Sequence, residues 1–591
     1  MRRRMGTDHH IRTGLGMKTD PITLELMRNR WTGIAEEMCA ALIRTSYSTN
    51  IKDRRDCSAA IVQPSGEILA QAESGVPLHL GVMPGVVRSI LEAYPVSAMK
   101  PGDVYITNLP YPEGPGHLPD VSLVSAIFHE HQPVALAAST AHHVDMGGFA
   151  PGSMPFGVTE IYQEGLQIPP LPIFKGGRLD EEIYRLINQN VRTQYEVRGD
   201  LMAQFACAQI GQQRVSELMS RESPDEVVRY MDEIQDYAER RMRAGIRSLP
   251  DGEYAFEDYL DDDGVSDEPV KIAVTLTISG DELRADFSGC SDQVLGPLNA
   301  RLPAAASCIS YVCKAVIDPD LPACAGAYRP LDIHAPEGSI LQATYPAAIG
   351  NANILTDQRV VDVLMGALYQ AAPDRVCAAC SGEMNLVNIG GIDPGTGDYY
   401  NYVETYAGGQ GAMSDLDGED GVHTHLTNTR NAPVEIMERT YPLRVERYGL
   451  IPNTEGPGRQ RGGCGMMREL KCLGKRTIIT LGSDRRKFTP WGLEGGGNAT
   501  GAHCYVIDTE GREREIPTKT HTELYRNEIL RIETPGGGGW GDPAERDGKK
   551  VEEDVRNGLV SPERADTHYR SAKDRGSWQP AGMAQNRSES P

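Results

Sequence analysis

Two short apolar runs, VSLVSAIF at 121–128 and VALAASTA at 134–141, are separated only by HEHQP. Runs of this length bounded by turn residues read as strands, and so short a link pairs them as an antiparallel hairpin. No other feature constrains the fold as sharply, because the hairpin sets a register. With the turn about His131, paired positions sum to 262, which places Asp120 opposite His142. His117 lies three residues before Asp120, with Gly116 and Pro119 shaping the bend. One end of one hairpin thus gathers two imidazoles and a carboxylate.

Neutral nitrogen with anionic oxygen suits zinc, manganese or iron(II), with room left for water or substrate. Asp56, in KDRRDCSAAI, precedes an expected strand at 57–63. It becomes a fourth ligand if that strand packs beside the hairpin. No thiolate belongs to the set, which favours a catalytic over a structural site. Taken singly, each residue is an ordinary polar group near a turn; the matched positions of three argue for a site. His143 and Asp145 follow directly, either orienting the ligands or acting as acid–base groups. His79, in GVPLHLGVMPG, is a further candidate, although a histidine among leucines also suits a core.

A chain of 591 residues exceeds one ordinary core. Amphipathic helices are expected at 21–46, 82–94, 302–316, 358–371 and 549–557. A mostly helical stretch at 180–247 has polar turns at Gly199–Asp200 and Ser223–Pro224. Strand-like alternation runs from about 253 to 290, and glycine-rich sequence with short strands continues to about 545. Without a steady βαβ rhythm the class is α+β and multi-lobed. The expected divisions are a metal-bearing lobe at about 20–250, a β-rich middle at 251–345 and a glycine-rich lobe at 346–570. A flexible extension (1–19) and a disordered tail (571–591) flank them.

The net charge of -23 argues against nucleic acid and against anionic membranes. No apolar run approaches the ~20 residues of a membrane helix, and the first residues lack a secretory pattern. The expected location is the cytoplasm. The twelve cysteines then read as free thiols. Cys377 and Cys380 form a C-x-x-C without a second pair or a thioredoxin-like context, which reads as chance spacing.

Several long segments resemble the hydantoinase B/oxoprolinase family: GHLPDVSLV, AHHVDMGGFAPGSMP, TEIYQEGLQIPP, QNVRTQYEVRGDLMAQ, GVHTHLTNTRNAPVEIMERTYPLRVERY and TPGGGGWGDPAERD. The resemblance runs from about Asp20 to Tyr569. It implies a divalent metal at Asp56, His117, Asp120 and His142, and a hetero-oligomer with a hydantoinase A-type subunit. That partner binds ATP and phosphorylates the substrate's carbonyl or enolate oxygen. This chain itself lacks G-x-x-x-x-G-K-[ST], and GGGGWGD (536–542) has no lysine or following helix for phosphates. It reads instead as a tight loop with positive φ angles.

The resemblance implies opening of a cyclic amide, a hydantoin or a lactam. Ketone carboxylation of the acetone or acetophenone type is the alternative, and a non-catalytic scaffold a third reading. His143, Asp145 and Glu160 form the expected catalytic set. Glu164, His423 and His425 form the expected substrate-binding set, with a buried hydrogen-bond network as the other reading of the two histidines. Three departures from the family pattern leave the substrate open: Leu109 where an aspartate is usual, Gly116 where threonine is frequent, and Asn353 where a glutamate is lost.

Overall fold

The computed structural model describes residues 20–569; the expected extension at 1–19 and tail at 571–591 lie outside these. Strands β1 (Cys57–Val62), β2 (Ile68–Gln71), β3 (Val104–Thr107), β4 (Asp120–His129), β5 (Gln132–His142), β6 (Leu171–Lys175) and β7 (Arg178–Leu179) form one antiparallel sheet. Its order is β2-β1-β5-β4-β3-β6-β7. The β4–β5 hairpin turns through Glu130 and His131, both with positive φ (46° and 67°), the backbone of a two-residue hairpin turn. His129 pairs with Gln132 and Phe128 with Pro133, one residue short of the expected register. A bulge at Val134 supplies the missing residue. From Ile127–Ala135 onward the ladder follows the expected pairing, down to Asp120 opposite His142.

The pleat then sorts side chains by parity. Ala60, Val62, Val124, Ala126, Leu136 and Ala138 pack against helix His79–Ala93. Ala59, Ile61, Ala135 and Ala137 face the opposite core with helix Pro21–Thr45. Asp120 and His142 share the parity of the first face.

Three further sheets follow. Strands β8 (Gly252–Leu260), β9 (Val270–Ser279), β10 (Glu282–Asp286) and β11 (Leu331–His334) form the second, whose β10–β11 pair is parallel. Strands β12 (Leu386–Ile392), β13 (Tyr399–Thr405), β16 (Arg476–Gly482) and β19 (Lys519–Tyr525) form the third. Strands β14 (Leu443–Leu450), β15 (Met466–Cys472), β17 (His503–Ile507), β18 (Glu513–Ile516) and β20 (Ile529–Glu533) form the fourth. The class is α+β. The largest apolar cluster runs from Leu24 to Leu426 and draws on residues of 20–250, 251–345 and 346–570 alike. Helix Thr356–Tyr369 is buried on every face from Thr356 to Leu368.

Two local expectations differ from the structure. Gly199–Asp200 is no turn: helix Gln194–Arg221 runs through it. A Cβ at Gly199 would lie 2.1 Å from the Tyr47 ring, so the glycine makes room for a close contact. The Asp200 carboxylate accepts the Tyr47 and Ser48 amides at 2.7 and 3.1 Å.

The run Gly536–Gly539 is glycine for proximity, not for φ; in GGGGWGD only Gly541 has a positive φ (73°). The Gly537, Gly538 and Gly539 amides donate to the carbonyls of Gly463, Ala379 and Gly497 at 2.8–3.0 Å. A Cβ at Gly538 would stand 2.0 Å from the Trp491 carbonyl oxygen. Gly538→Ala should therefore lower the thermal unfolding midpoint by about 1–3 °C, since overpacking a core costs about 1–3 kcal/mol and a long chain has a large unfolding entropy. Gly548→Ala, with nothing within 4 Å of its new Cβ, should show no such loss in the same scan.

Candidate metal centre

The strand ends at Asp120 and His142 meet the turn carrying His117. Asn108 holds this turn: its side-chain NH2 donates to the Leu118 carbonyl (2.8 Å), and its oxygen accepts the Ile168 amide (2.7 Å). β1 pairs with β5, Cys57 opposite Ala141, and the His142 amide donates to the Asp56 carbonyl at 3.1 Å. β1 therefore brings Asp56 beside His142, while its carboxylate stays outside the close group formed by His117, Asp120 and His142.

Asp56, His79, His117, Asp120, His142, Asn353 and Arg54 line one cavity, with Val76, Leu78, Met154, Met384, Leu386 and Thr405 among its other walls. Its volume is about 30 Å³, room for an ion and one or two waters. His117 Nε2 stands 3.3 Å from Asp120 Oδ1. Ligand atoms of His117, Asp120 and His142 lie within 4.8 Å of one another.

Hydrogen bonds hold three of the donors. His117 Nδ1 donates to the Gly350 carbonyl (2.9 Å), an arrangement that orients a ligating imidazole. Asn50 Nδ2 lies 2.8 Å from His142 Nδ1. Asn353 Nδ2 donates to Asp120 Oδ2 at 3.3 Å. Burial pulls the pKa of His142 down to about 4, so its ring is neutral at pH 7. Burial opposes ionised Asp120, yet His117 and His79 hold its carboxyl well below the usual range. The residues fit a divalent cation: neutral nitrogen and anionic oxygen converge, and Asn353 Oδ1 has no hydrogen-bond partner.

The structure brings only part of the expected set to this cavity. His143 has the opposite parity to His142 and turns to Gln204 on helix Gln194–Arg221, Nε2 to Oε1 3.0 Å. Asp145 is fully buried and accepts from Gly147 N, Gly152 N, Arg192 N and Arg192 Nη1 at 2.8–3.1 Å. It organises the 146–153 loop. Glu160 is exposed and caps a short 3-10 turn. Glu164 stands behind His117: its Oε1 accepts the Ile349 and Gly350 amides at 2.8 and 2.7 Å. His423 is half-buried outside the cavity lining, with its pKa lowered to about 4 by burial and by Arg54. His425 faces Asp362, Nε2 to Oδ1 3.0 Å.

Sequence reasoning missed Arg54 and gave His79 little weight. Arg54 donates to the Val403 carbonyl (3.0 Å) and Thr405 Oγ1 (2.9 Å), and its place two residues before Asp56 was the available signal. His79 begins its helix, its Nδ1 2.9 Å from Ser58 Oγ and its Nε2 3.8 Å from Asp120 Oδ2.

Residues 20–543 match the hydantoinase B/oxoprolinase family. The chain belongs to this family. It is 39% identical to an uncharacterised protein of Methanocaldococcus jannaschii, over 93% of this chain and 96% of that one. It is 33% identical to a putative B-type subunit of a D-/L-hydantoinase from a Pseudomonas species, over 93% and 95%. Against 5-oxoprolinase of Dictyostelium discoideum it is 36% identical over 88% of this chain but only 40% of the longer protein. The ATP-dependent caprolactamase of Pseudomonas jessenii superposes with a TM-score of 0.87 at 27% identity, covering 95% of this chain and 98% of that one. Acetone carboxylase, at 18% identity and TM-score 0.86 over 93% and 79%, shares the fold.

Two departures from the family pattern prove to be neighbours. A Cβ at Gly116 would lie 2.1 Å from Asn353 Oδ1, so the glycine makes room for the asparagine that touches Asp120. Gly116→Ala should destabilise the wild-type chain but much less an Asn353→Ala background. A coupling of about 0.5–3 kcal/mol in the unfolding cycle is expected, and additive effects would refute the contact.

Burial pushes the Glu164 carboxyl up to about 7. The folded chain then keeps a proton that the unfolded chain releases above about 4.5, so stability falls as pH rises from about 4.5 to 7. Glu164→Gln, which can still accept both amides, should flatten that part of the stability–pH curve.

Proposed function

We propose that this chain is the metal-bearing, hydrolytic subunit of an ATP-coupled cyclic amidohydrolase of hydantoinase, oxoprolinase or lactamase type. The observation carrying this reading is the convergence of His117, Asp120 and His142 on one small cavity that Asp56 also lines. Similarity to a caprolactamase and to 5-oxoprolinases points to cyclic amides. A divalent cation held there would supply Lewis acidity toward an oxygen and lower the pKa of water.

The chain's own groups divide the remaining work. Arg54, buried at the cavity wall, holds the anionic oxygen of an activated amide. His79 Nε2, beside Asp120, takes and returns the proton that hydrolysis moves. Met154, Met384 and Leu386 exclude bulk water. His143, Asp145 and Glu160 keep structural places away from the reacting atoms. Activation by ATP falls to a hydantoinase A-type partner, consistent with a glycine run whose amides are bonded within the fold.

The test reconstitutes the chain with such a partner and offers lactams and hydantoins with ATP, or ketones with ATP and bicarbonate. Ring opening is expected. Carboxylation of the ketone alone would replace this reading with the carboxylase one. His117→Ala and Asp120→Ala should lose bound metal and at least about 100-fold in turnover, as removing metal support commonly does. Full turnover without metal would refute the assignment.

A further inference from the structure

Outside the cavity lined by Asp56 and His117, a second set of metal-ligating groups converges on the C-x-x-C pair. Cys377 Sγ and Cys380 Sγ stand 4.0 Å apart. Ligand atoms of Cys380, His425 and Asp362 lie within 4.8 Å of one another, all three residues buried. They come from three places: the segment before β12, the loop at 422–429, and helix Thr356–Tyr369. We propose that Cys377, Cys380, His425 and Asp362 form a second, structural cation site that takes a thiophilic divalent ion such as zinc.

The geometry suits tetrahedral coordination. Two thiolates on one tetrahedral zinc, with Zn–S of about 2.3 Å, lie about 3.8 Å apart, close to the separation found here. Cys377, outside the close group of Cys380, His425 and Asp362 but 4.0 Å from Cys380 Sγ, would supply the fourth donor, in contrast to the thiolate-free set at His117. Two thiolates and a carboxylate exceed a divalent cation by one negative charge, and the fully buried Arg485, shared between Asp362 Oδ2 and Asp258 (2.7 Å), lies beside the set.

The surrounding backbone holds the donors in place. The Gly411 amide donates to Cys380 Sγ (3.4 Å), and the Cys380 amide to Asp362 Oδ1 (3.3 Å); such bonds steady metal ligands. Ala378 and Ser381 donate to the Ala412 and Gly409 carbonyls, at 2.8 Å each. His425 is held at φ 59°, an uncommon conformation for a non-glycine residue that persists where the surroundings enforce it. This conformation turns the ring to Asp362.

A consequence reaches the first site. Met384 follows Cys380 by four residues and Thr427 follows His425 by two, and both line the first cavity. An ion at the second site would pin together two segments that wall the first.

Cobalt(II) loading of the full chain under reducing conditions tests the proposal, because only thiolate ligands give a sulfur-to-cobalt charge-transfer band. The band is expected in the wild-type chain and in His117→Ala, and should be lost in Cys380→Ser. The wild-type spectrum decides even where the serine variant fails to fold. Absence of the band there, or loss of both thiols to a Cys377–Cys380 disulfide under the same conditions, would overturn the proposal.

Discussion

The candidate site depends on the backbone ladder between β4 and β5. Because side chains alternate along a strand, a slip of one residue would send His142 to the opposite face and bring its neighbour inward. The two-residue turn at Glu130–His131 on its own sets a register one residue short, in which Asp120 would face Ala141. The bulge at Val134 corrects this. Pro133, which cannot donate a ladder hydrogen bond, sits between turn and bulge, beyond the end of β1. A device near the turn thus decides which histidine meets Asp120 more than 25 Å along the strand, taking about 3.4 Å per residue. β1 adds Asp56 by the same ladder.

Much of this was legible in the sequence because it rests on local periodicity. The hairpin, the strand beginning at Cys57 and helices 302–316 and 358–371 follow from runs and alternation that no distant residue overrides. The parity that parts His142 from His143 was also present, since adjacent strand residues face opposite ways. It went unused because AHH ends the strand, where alternation gives little warning. Other features depend on contacts remote in sequence. Gly199 looked like a turn, yet its reason is Tyr47, about 150 positions away. The glycine run looked like a flexible loop, yet its neighbours are other backbones. Cys377–Cys380 looked accidental because its partners, Asp362 and His425, lie on either side at spacings no short motif contains.

The departures at Gly116 and Asn353 show how such distant coupling bears on chemistry. Along the chain they are two separate losses, a threonine and a glutamate. In space they form one substitution: removing a side chain at 116 admits an amide at 353, which donates to Asp120. An amide there brings no negative charge, so the ring of donors carries only the Asp56 and Asp120 carboxylates. A cation in that ring would keep more residual positive charge than in one with a third carboxylate, and would polarise a bound oxygen more strongly.

The size of the cavity limits what can happen in this conformation. About 30 Å³ admits an ion and water but no lactam or hydantoin ring. The wall formed by β1, β4 and β5 is bound by a continuous hydrogen-bond ladder and cannot part cheaply. The turn with Val76 and Leu78 is hydrogen-bonded too, the Val76 amide to Ser58 Oγ (3.0 Å) and Ser307 Oγ to the Leu78 carbonyl (2.6 Å), but by single bonds rather than a ladder, and Val76 also lines a groove of about 670 Å³. Breaking those bonds would join the two spaces. Closure would then do chemical work as well, because returning Val76 and Leu78 expels water and strengthens every charge interaction among Arg54, His79 and the donors.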